Sequence, residues 1–276
     1  MKQALKTAPP PEIGVASDAQ RQPQTAGWSD VLVALTRSDL RERYGRGPWQ
    51  VLKWLVDPLA AIGVYFVLLS VVLDRGGDSV ALSVACAVVP FQLMMMAAIR
   101  GLGAIDQRRN IVANMSFPRM LIPIASTMTE VLTFGASLLL LAGIMAVSGV
   151  APTAAVFWLP AVLAVTVVLA IALSYPASLL GLWLPDLRTL VVSGVRTLFF
   201  IAPGIVALRE IEGNAHDLLR INPLTGIFES FRSILLYGQT PAAWQLLYPL
   251  AAAALLLVVF LPIYAREQRH LAKVLW

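Results

Sequence analysis

From Val131 to Pro185 the chain contains no aspartate, glutamate, lysine or arginine. The main interruption is "SGVAPT" at 148–153, a composition typical of a turn. A helix needs about 20 largely apolar residues to cross the hydrocarbon of a bilayer. The stretch is therefore long enough for two crossings joined by a tight hairpin, and it predicts a membrane protein.

Composition agrees with that interpretation. Hydrophobic residues make up 58% of the 276 residues and charged residues 13%, against roughly 45–50% and about 25% in soluble domains. The same length criterion identifies six spans, at about 54–73, 80–99, 120–147, 156–184, 189–208 and 243–264. The predicted fold class is an all-α integral membrane protein with six transmembrane helices.

The positive charges predict the orientation of these spans. Seventeen of the 21 lysines and arginines fall on one side of the predicted membrane, and four fall on the other: Arg75, Arg209, Arg220 and Arg232. Because lysine and arginine accumulate in cytoplasmic loops, we expect a plasma (bacterial inner) membrane protein with both termini in the cytoplasm. The net charge of +5 is then a topology signal with some contribution from anionic lipid, and nucleic-acid binding is not expected.

The regions outside the spans have distinct compositions. Residues 1–27 contain a proline triplet and no aromatic residue, which predicts a disordered cytoplasmic tail. Residues 28–47 predict an amphipathic helix lying on the inner leaflet. The membrane domain is expected to cover 48–270, with a cytoplasmic tail at 265–276.

The segment before the sixth span differs from the other outer loops. Apolar side chains recur in it with helical spacing and form one stripe: Leu224, Ile227, Phe228, Phe231, Ile234 and Leu235. Polar residues, including Glu229 and Arg232, occupy the other side. Because it is too short to span a bilayer, we predict a re-entrant or interfacial helix, preceded by a smaller one near 214–221.

Residue patterns that would support catalysis are missing from the sequence. It has no GxxxxGK[ST] phosphate-binding loop, a single cysteine, Cys86, and two widely separated histidines, His216 and His270. Neither an enzymatic activity nor a metal site is predicted, and no cofactor is expected in this chain. If the protein does work, a partner supplies the energy.

The third span is predicted to begin at the sequence "FPRML". Pro118 suits a first helical turn, because its missing amide hydrogen would be unpaired there. Arg119 can then reach back toward lipid phosphate.

Four segments together resemble a known family. They are "DLRERYG", "WLVDPL", "VVPFQLMMMAAIRGLGAIDQRRNIVANMSFPRMLIP" and "INPLTGIFESFRSILLYG". In this order they are similar to the transmembrane permease subunit of type-2 ABC transporters, in the branch that exports polysaccharides such as O-antigen, teichoic acid or galactan precursors. The resemblance covers about residues 28–270.

The resemblance implies a homodimer of six-span subunits that binds two copies of a separate ABC ATPase, and the ATPase would bind ATP and Mg²⁺. A segment at 106–117 would couple the permease to the ATPase, and helices at 214–237 would form an outer gate. The coupling candidates are Asp106, Gln107, Arg108, Arg109, Asn110, Phe117, Pro118 and Arg119. The gate candidates are Asn222, Pro223, Phe228, Phe231 and Arg232. Alternatively, the charges at 106–110 are solvated side chains of the inner face.

Glu130 is the most costly residue to place in a membrane. Counted from Pro118, a rise of about 1.5 Å per residue puts it about 16–18 Å into the third span, near the bilayer centre. A charge there costs roughly 2.5–3.5 kcal/mol on insertion scales. It should therefore line or brace the channel, or pair with a cation such as Arg100 or Arg196.

Aromatic rings within the spans are further channel candidates, because the apolar faces of sugars pack against rings while the hydroxyls stay wet. These candidates are Phe91, Phe134, Tyr175, Trp183, Phe199 and Phe200. Each of them could instead face lipid or a neighbouring helix.

The leading prediction is the permease subunit of an exporter of lipid-linked polysaccharide, driven by ATP hydrolysis in the partner. An ABC exporter of drugs or small lipids would share the six-span plan. A membrane scaffold without a channel is a third possibility.

Overall fold

The computed structural model describes residues 27–45, 49–72, 79–108, 117–202, 204 and 206–274. These ranges are helical and contain no strand. Their α-helices are α1 (Trp28–Tyr44), α2 (Trp49–Val67), α3 (Val80–Gln107), α4 (Leu121–Val147), α5 (Leu159–Trp183), α6 (Arg188–Ile201), α7 (Asn214–Arg220), α8 (Pro223–Leu235) and α9 (Ala243–Val274). A π-helical turn at Leu68–Val72 extends α2, and short 3₁₀ turns occur at Ala154–Trp158, Pro185–Leu187 and Leu208–Glu210.

Among the residues that the structure describes, five segments are long and apolar enough to cross a membrane, judged by length and composition. They are Leu52–Val71, Val80–Gln107, Leu121–Val147, Ala154–Trp183 and Ala243–Glu267. These match five of the six predicted spans, so the all-helical membrane class is confirmed.

The fifth predicted span, 189–208, is not confirmed. The helix found there, α6, has 14 residues, which makes it roughly 21 Å long, shorter than the hydrocarbon core of about 30 Å. At the other end of the chain, α9 continues to Val274, so part of the predicted tail at 265–276 is helical. The predicted tail at 1–27 lies almost wholly outside the described residues.

The helix α3 lies at the centre of the fold. In its most apolar 18-residue stretch, 72% of the residues are buried inside the protein. The corresponding share in each of the other four segments is at most 39%. It packs against α2, α4, α5, α6 and α8. Small side chains along it, such as Ala85, Cys86 and Ala97, are completely buried and allow neighbouring helices to come close.

Two glycines set the distance between α3 and α5. A Cβ atom added at Gly181 of α5 would lie 1.9 Å from the carbonyl oxygen of Leu102 in α3. One added at Gly101 of α3 would lie 2.9 Å from the carbonyl oxygen of Ser174 in α5. The backbones are therefore in direct contact at this crossing, which holds the two helices in register.

We expect Gly181→Ala to destabilise the protein by at least about 3 kcal/mol, because its methyl group meets backbone rather than a side chain that could move. Gly143→Ala in α4 is the matched control, since a Cβ atom there meets nothing within 4 Å, and its effect should stay within about 1 kcal/mol. Thermal unfolding of the detergent-solubilised protein measures both. Equal unfolding midpoints for the two variants would contradict the close contact.

Candidate functional site

The predicted coupling residues lie at the end of α3 and the start of α4. Asp106 and Gln107 are the last residues of α3, and Arg108 follows as its C-cap. Arg109 and Asn110 lie outside the described residues. The predicted coupling segment therefore begins at the end of α3.

Arg108 is buried against α1. Its side chain is 4% exposed and forms an ion pair with the Asp39 carboxylate. The guanidinium also donates to the Ala104 carbonyl at 3.2 Å, and the Thr129 hydroxyl of α4 lies 3.5 Å from Asp39 Oδ2. Arg108 is therefore not a solvated charge of the inner face.

Two opposing effects act on the pKa of Asp39. Burial raises the pKa of its carboxyl group above the ordinary value, while Arg108 acts to lower it. The pairing with Arg108 is what makes a half-buried carboxylate tolerable at this position.

Asp106 points to the opposite side of α3 from Arg108. It forms an ion pair with Arg188, the first residue of α6, and Arg188 also donates to the Gly181 carbonyl at 2.8 Å. This pair is more exposed, with 56% of the Asp106 side chain accessible. The end of α3 is thus tied to α1 on one side and to the junction of α5 and α6 on the other.

Phe117, Pro118 and Arg119 form the turn before α4. The helix begins at Leu121, so the expectation that Pro118 lies in the first helical turn is wrong. The Pro118 carbonyl accepts the Leu121 amide at 3.0 Å, and two tyrosine hydroxyls hold the next carbonyls. Tyr264 donates to Arg119 O at 3.4 Å, and Tyr175 donates to Met120 O at 3.2 Å.

Glu130 is buried and paired. Its side chain is 3% exposed and lies 3.5 Å from Nε of Arg100, while Arg196 lies on an exposed part of α6. Of the two predicted cations, Arg100 is therefore the one beside it. Counted from Leu121, Glu130 lies about 14 Å into α4, somewhat shallower than predicted.

Glu130 also lines two clefts. One lies between α1, α3 and α4 and is lined by Asp39, Glu42, Arg100, Gln107, Ser126, Thr129 and Glu130. The other is lined by α2, α3 and α4 residues that include Asp57, Gln92, Glu130, Thr133 and Ser137. The two clefts thus border α4 on the face that carries this carboxylate.

A stripe of hydroxyl groups lies on the same face of α4. Ser126, Thr129, Thr133 and Ser137 recur at helical spacing, and each is at most 9% exposed. Their hydroxyls donate to backbone carbonyls of the same helix at 2.8 to 3.3 Å, which allows them to be buried. Sequence reasoning missed the stripe, although the spacing of these residues with Glu130 was a usable signal.

The predicted channel aromatics differ in their surroundings. Phe91 packs edge-on against Phe228 with ring centroids 6.4 Å apart, and Phe134 packs against Phe231 in the same way at 6.5 Å. In this structure these four rings join α3 and α4 to α8.

The other candidate rings lie elsewhere. Tyr175 packs edge-on against Tyr264, and Trp183 is 47% exposed at the end of α5. The side chains of Phe199 and Phe200 lie outside the described residues.

The helix α8 forms where the apolar stripe predicts a helix, but it is buried on both faces. Asn222 caps it by accepting the Leu224 amide at 3.0 Å, and Pro223 occupies the first turn. The side of the helix that carries the polar residues is buried as well, because Glu229 is 5% exposed and Arg232 is completely buried.

An internal ion pair makes that burial possible. Arg232 donates to Glu229 Oε1 at 2.8 Å, to Ser83 O of α3 at 3.2 Å and to Gly204 O at 2.9 Å. Glu229 also accepts the Leu208 amide at 3.0 Å. Sequence reasoning named Arg232 as a gate residue but missed Glu229, whose i, i+3 spacing was the available signal.

Comparisons with known proteins identify relatives of the chain. No family model matches it. Two relatives from Klebsiella pneumoniae are both named O-antigen export system permease protein RfbA. One is 25% identical to this chain over 210 residues, which cover 76% of this chain and 81% of the relative. The other is 24% identical over 248 residues, which cover 89% of this chain and 95% of the relative. A protein of the same name from Myxococcus xanthus is 24% identical over 249 residues, covering 89% and 95%. The resemblance inferred from the sequence motifs is therefore confirmed.

Glu229→Gln should destabilise the protein by about 3–5 kcal/mol, because it leaves the buried Arg232 charge without its ionic partner. Glu212→Gln, which removes the same charge from an exposed position, should change stability by less than about 0.5 kcal/mol. Thermal unfolding in detergent compares them. If both variants unfold at the wild-type temperature, the ion pair does not stabilise α8.

Proposed function

Because the chain is similar to O-antigen export permeases over most of its length, we propose that it is the permease subunit of an ABC exporter. In this proposal it moves a lipid-linked polysaccharide across the plasma membrane. A separate ATPase subunit binds ATP and Mg²⁺ and supplies the energy. The single observation that carries the proposal is the match over 89% of the chain and 95% of two relatives.

The proposed assembly is a homodimer bound to two ATPase copies, with both termini of each permease in the cytoplasm. The helix α6 and the chain after it would serve as the fifth of six transmembrane segments. The helix α1 would lie on the inner leaflet, and α7 with α8 would form a re-entrant outer gate. The distribution of lysine and arginine along the sequence supports this orientation.

We assign ATPase coupling to residues 106–117. The ionic contacts of Asp106 and Arg108 with other helices support this role, because a push on the end of α3 would reach α1 and α6 directly.

The channel assignment centres on Glu130. Its place in the lining of two clefts supports contact with a hydrated substrate or with the helices that surround it. A carboxylate at this depth is costly unless water or a cation is close, and Arg100 meets that need in the present structure.

Reconstitution tests the proposed function. The purified permease and an ABC ATPase that copurifies with it would be placed in liposomes with a lipid-linked glycan, and glycan protection from an external glycosidase would be measured. We expect ATP-dependent transport that stops with an ATPase variant able to bind but not hydrolyse ATP. Stimulation by drugs or small lipids alone would contradict the substrate class, and copurification without any ATPase would favour a scaffold.

Glu130→Gln should lower the export rate about tenfold, because the neutral side chain no longer pairs with Arg100 at the junction of the clefts. Leu132→Ala is the control, since Leu132 lies two residues away with 46% of its surface exposed. Export by both variants would be compared at equal amounts of inserted protein. Equal tolerance of the two changes would show that Glu130 has no special role.

A further inference from the structure

The helix α1 buries few of its side chains against the rest of the protein. Of the α1 side chains whose burial the structure describes, only Leu35 and Thr36 are buried, at 6% and 5% exposure. Asp39 lies one turn after Leu35 and on the same face of the helix. A 17-residue helix with so little buried apolar surface needs a further contact to stay in one position.

Asp39 provides that contact. Its carboxylate pairs with the buried guanidinium of Arg108 at the end of α3. The same oxygen lies 3.5 Å from the Thr129 hydroxyl of α4. One side chain of α1 therefore contacts the end of α3 and the third turn of α4.

Burial makes this pair sensitive to displacement. With α1 in place the Arg108 side chain is 4% exposed, so moving the end of α3 away from α1 would separate a buried ion pair, which is unfavourable. Moving the two helices together preserves the pair.

We propose that Asp39 is a positioning residue that locks α1 to the end of α3, so that α1 follows the displacements of α3 that accompany ATP hydrolysis. The link to ATP hydrolysis rests on the proposed function, whereas the locking itself depends on the permease alone. The two parts can therefore be measured separately.

Hydrogen exchange of the permease in nanodiscs measures the locking. Asp39→Asn should speed amide exchange in α1 about tenfold or more, with α4 and α5 unchanged. Asp30→Asn removes the same charge from an exposed position in the first turn of α1 and should change exchange less than about twofold. Unchanged exchange in the Asp39 variant overturns the proposal.

A double-mutant cycle identifies the partner. If Asp39 acts through Arg108, the α1 exchange rate of Asp39→Asn combined with Arg108→Gln should be close to that of either single variant. Additive effects would mean that the two residues act independently, which also overturns the proposal.

The transport readout separates positioning from simple stabilisation. In the assembled transporter, Asp39→Asn should raise the number of ATP molecules hydrolysed per glycan exported at least about threefold, while Asp30→Asn should leave this ratio unchanged. Faster α1 exchange with an unchanged ratio would reduce Asp39 to a structural contact and overturn its role in transmission. If the wild-type protein exports no glycan, the proposed function fails, and the exchange measurements still decide whether Asp39 locks α1.

Discussion

The direct backbone contact between α3 and α5 organises the rest of the structure. At this crossing Gly181 lies so close to Leu102 that a side chain would not fit. The Gly181 carbonyl also accepts a hydrogen bond from Arg188, and Arg188 pairs with Asp106 at the end of α3. The helix packing that places α5 therefore also determines where α6 starts and how the end of α3 is held.

Charged groups collect near the two ends of α3. Arg232 and Glu229 lie beside Ser83 at one end, and Arg108 pairs with Asp39 at the other. Ser83 and Arg108 are about 38 Å apart along the helix, more than the roughly 30 Å of bilayer hydrocarbon. Glu130 and Arg100 lie between these ends and form a pair of their own. Charges can be buried in this protein because each has an ionic partner or a backbone carbonyl nearby.

These contacts make the proposed export function mechanically coherent. The end of α3 is connected to α1 and α6, whereas its beginning is connected to α8 and to the chain at Gly204. A displacement of α3 would therefore reach both the helix assigned to the inner leaflet and the helix assigned to the outer gate.

The sequence by itself determined that this is a helical membrane protein, where five membrane-length helices lie and where α8 begins. Transfer of a segment into lipid depends on its own composition, and the cap formed by Asn222 and Pro223 is local. Only the tertiary structure decided that Arg108 and both faces of α8 are buried, and that Asp39 and Glu229 are their partners. Arg108 meets a residue 69 positions away and Arg232 a carbonyl 149 positions away. Whether a charge can be buried depends on which distant groups the packing of helices brings beside it, and the composition of a single segment does not contain that information.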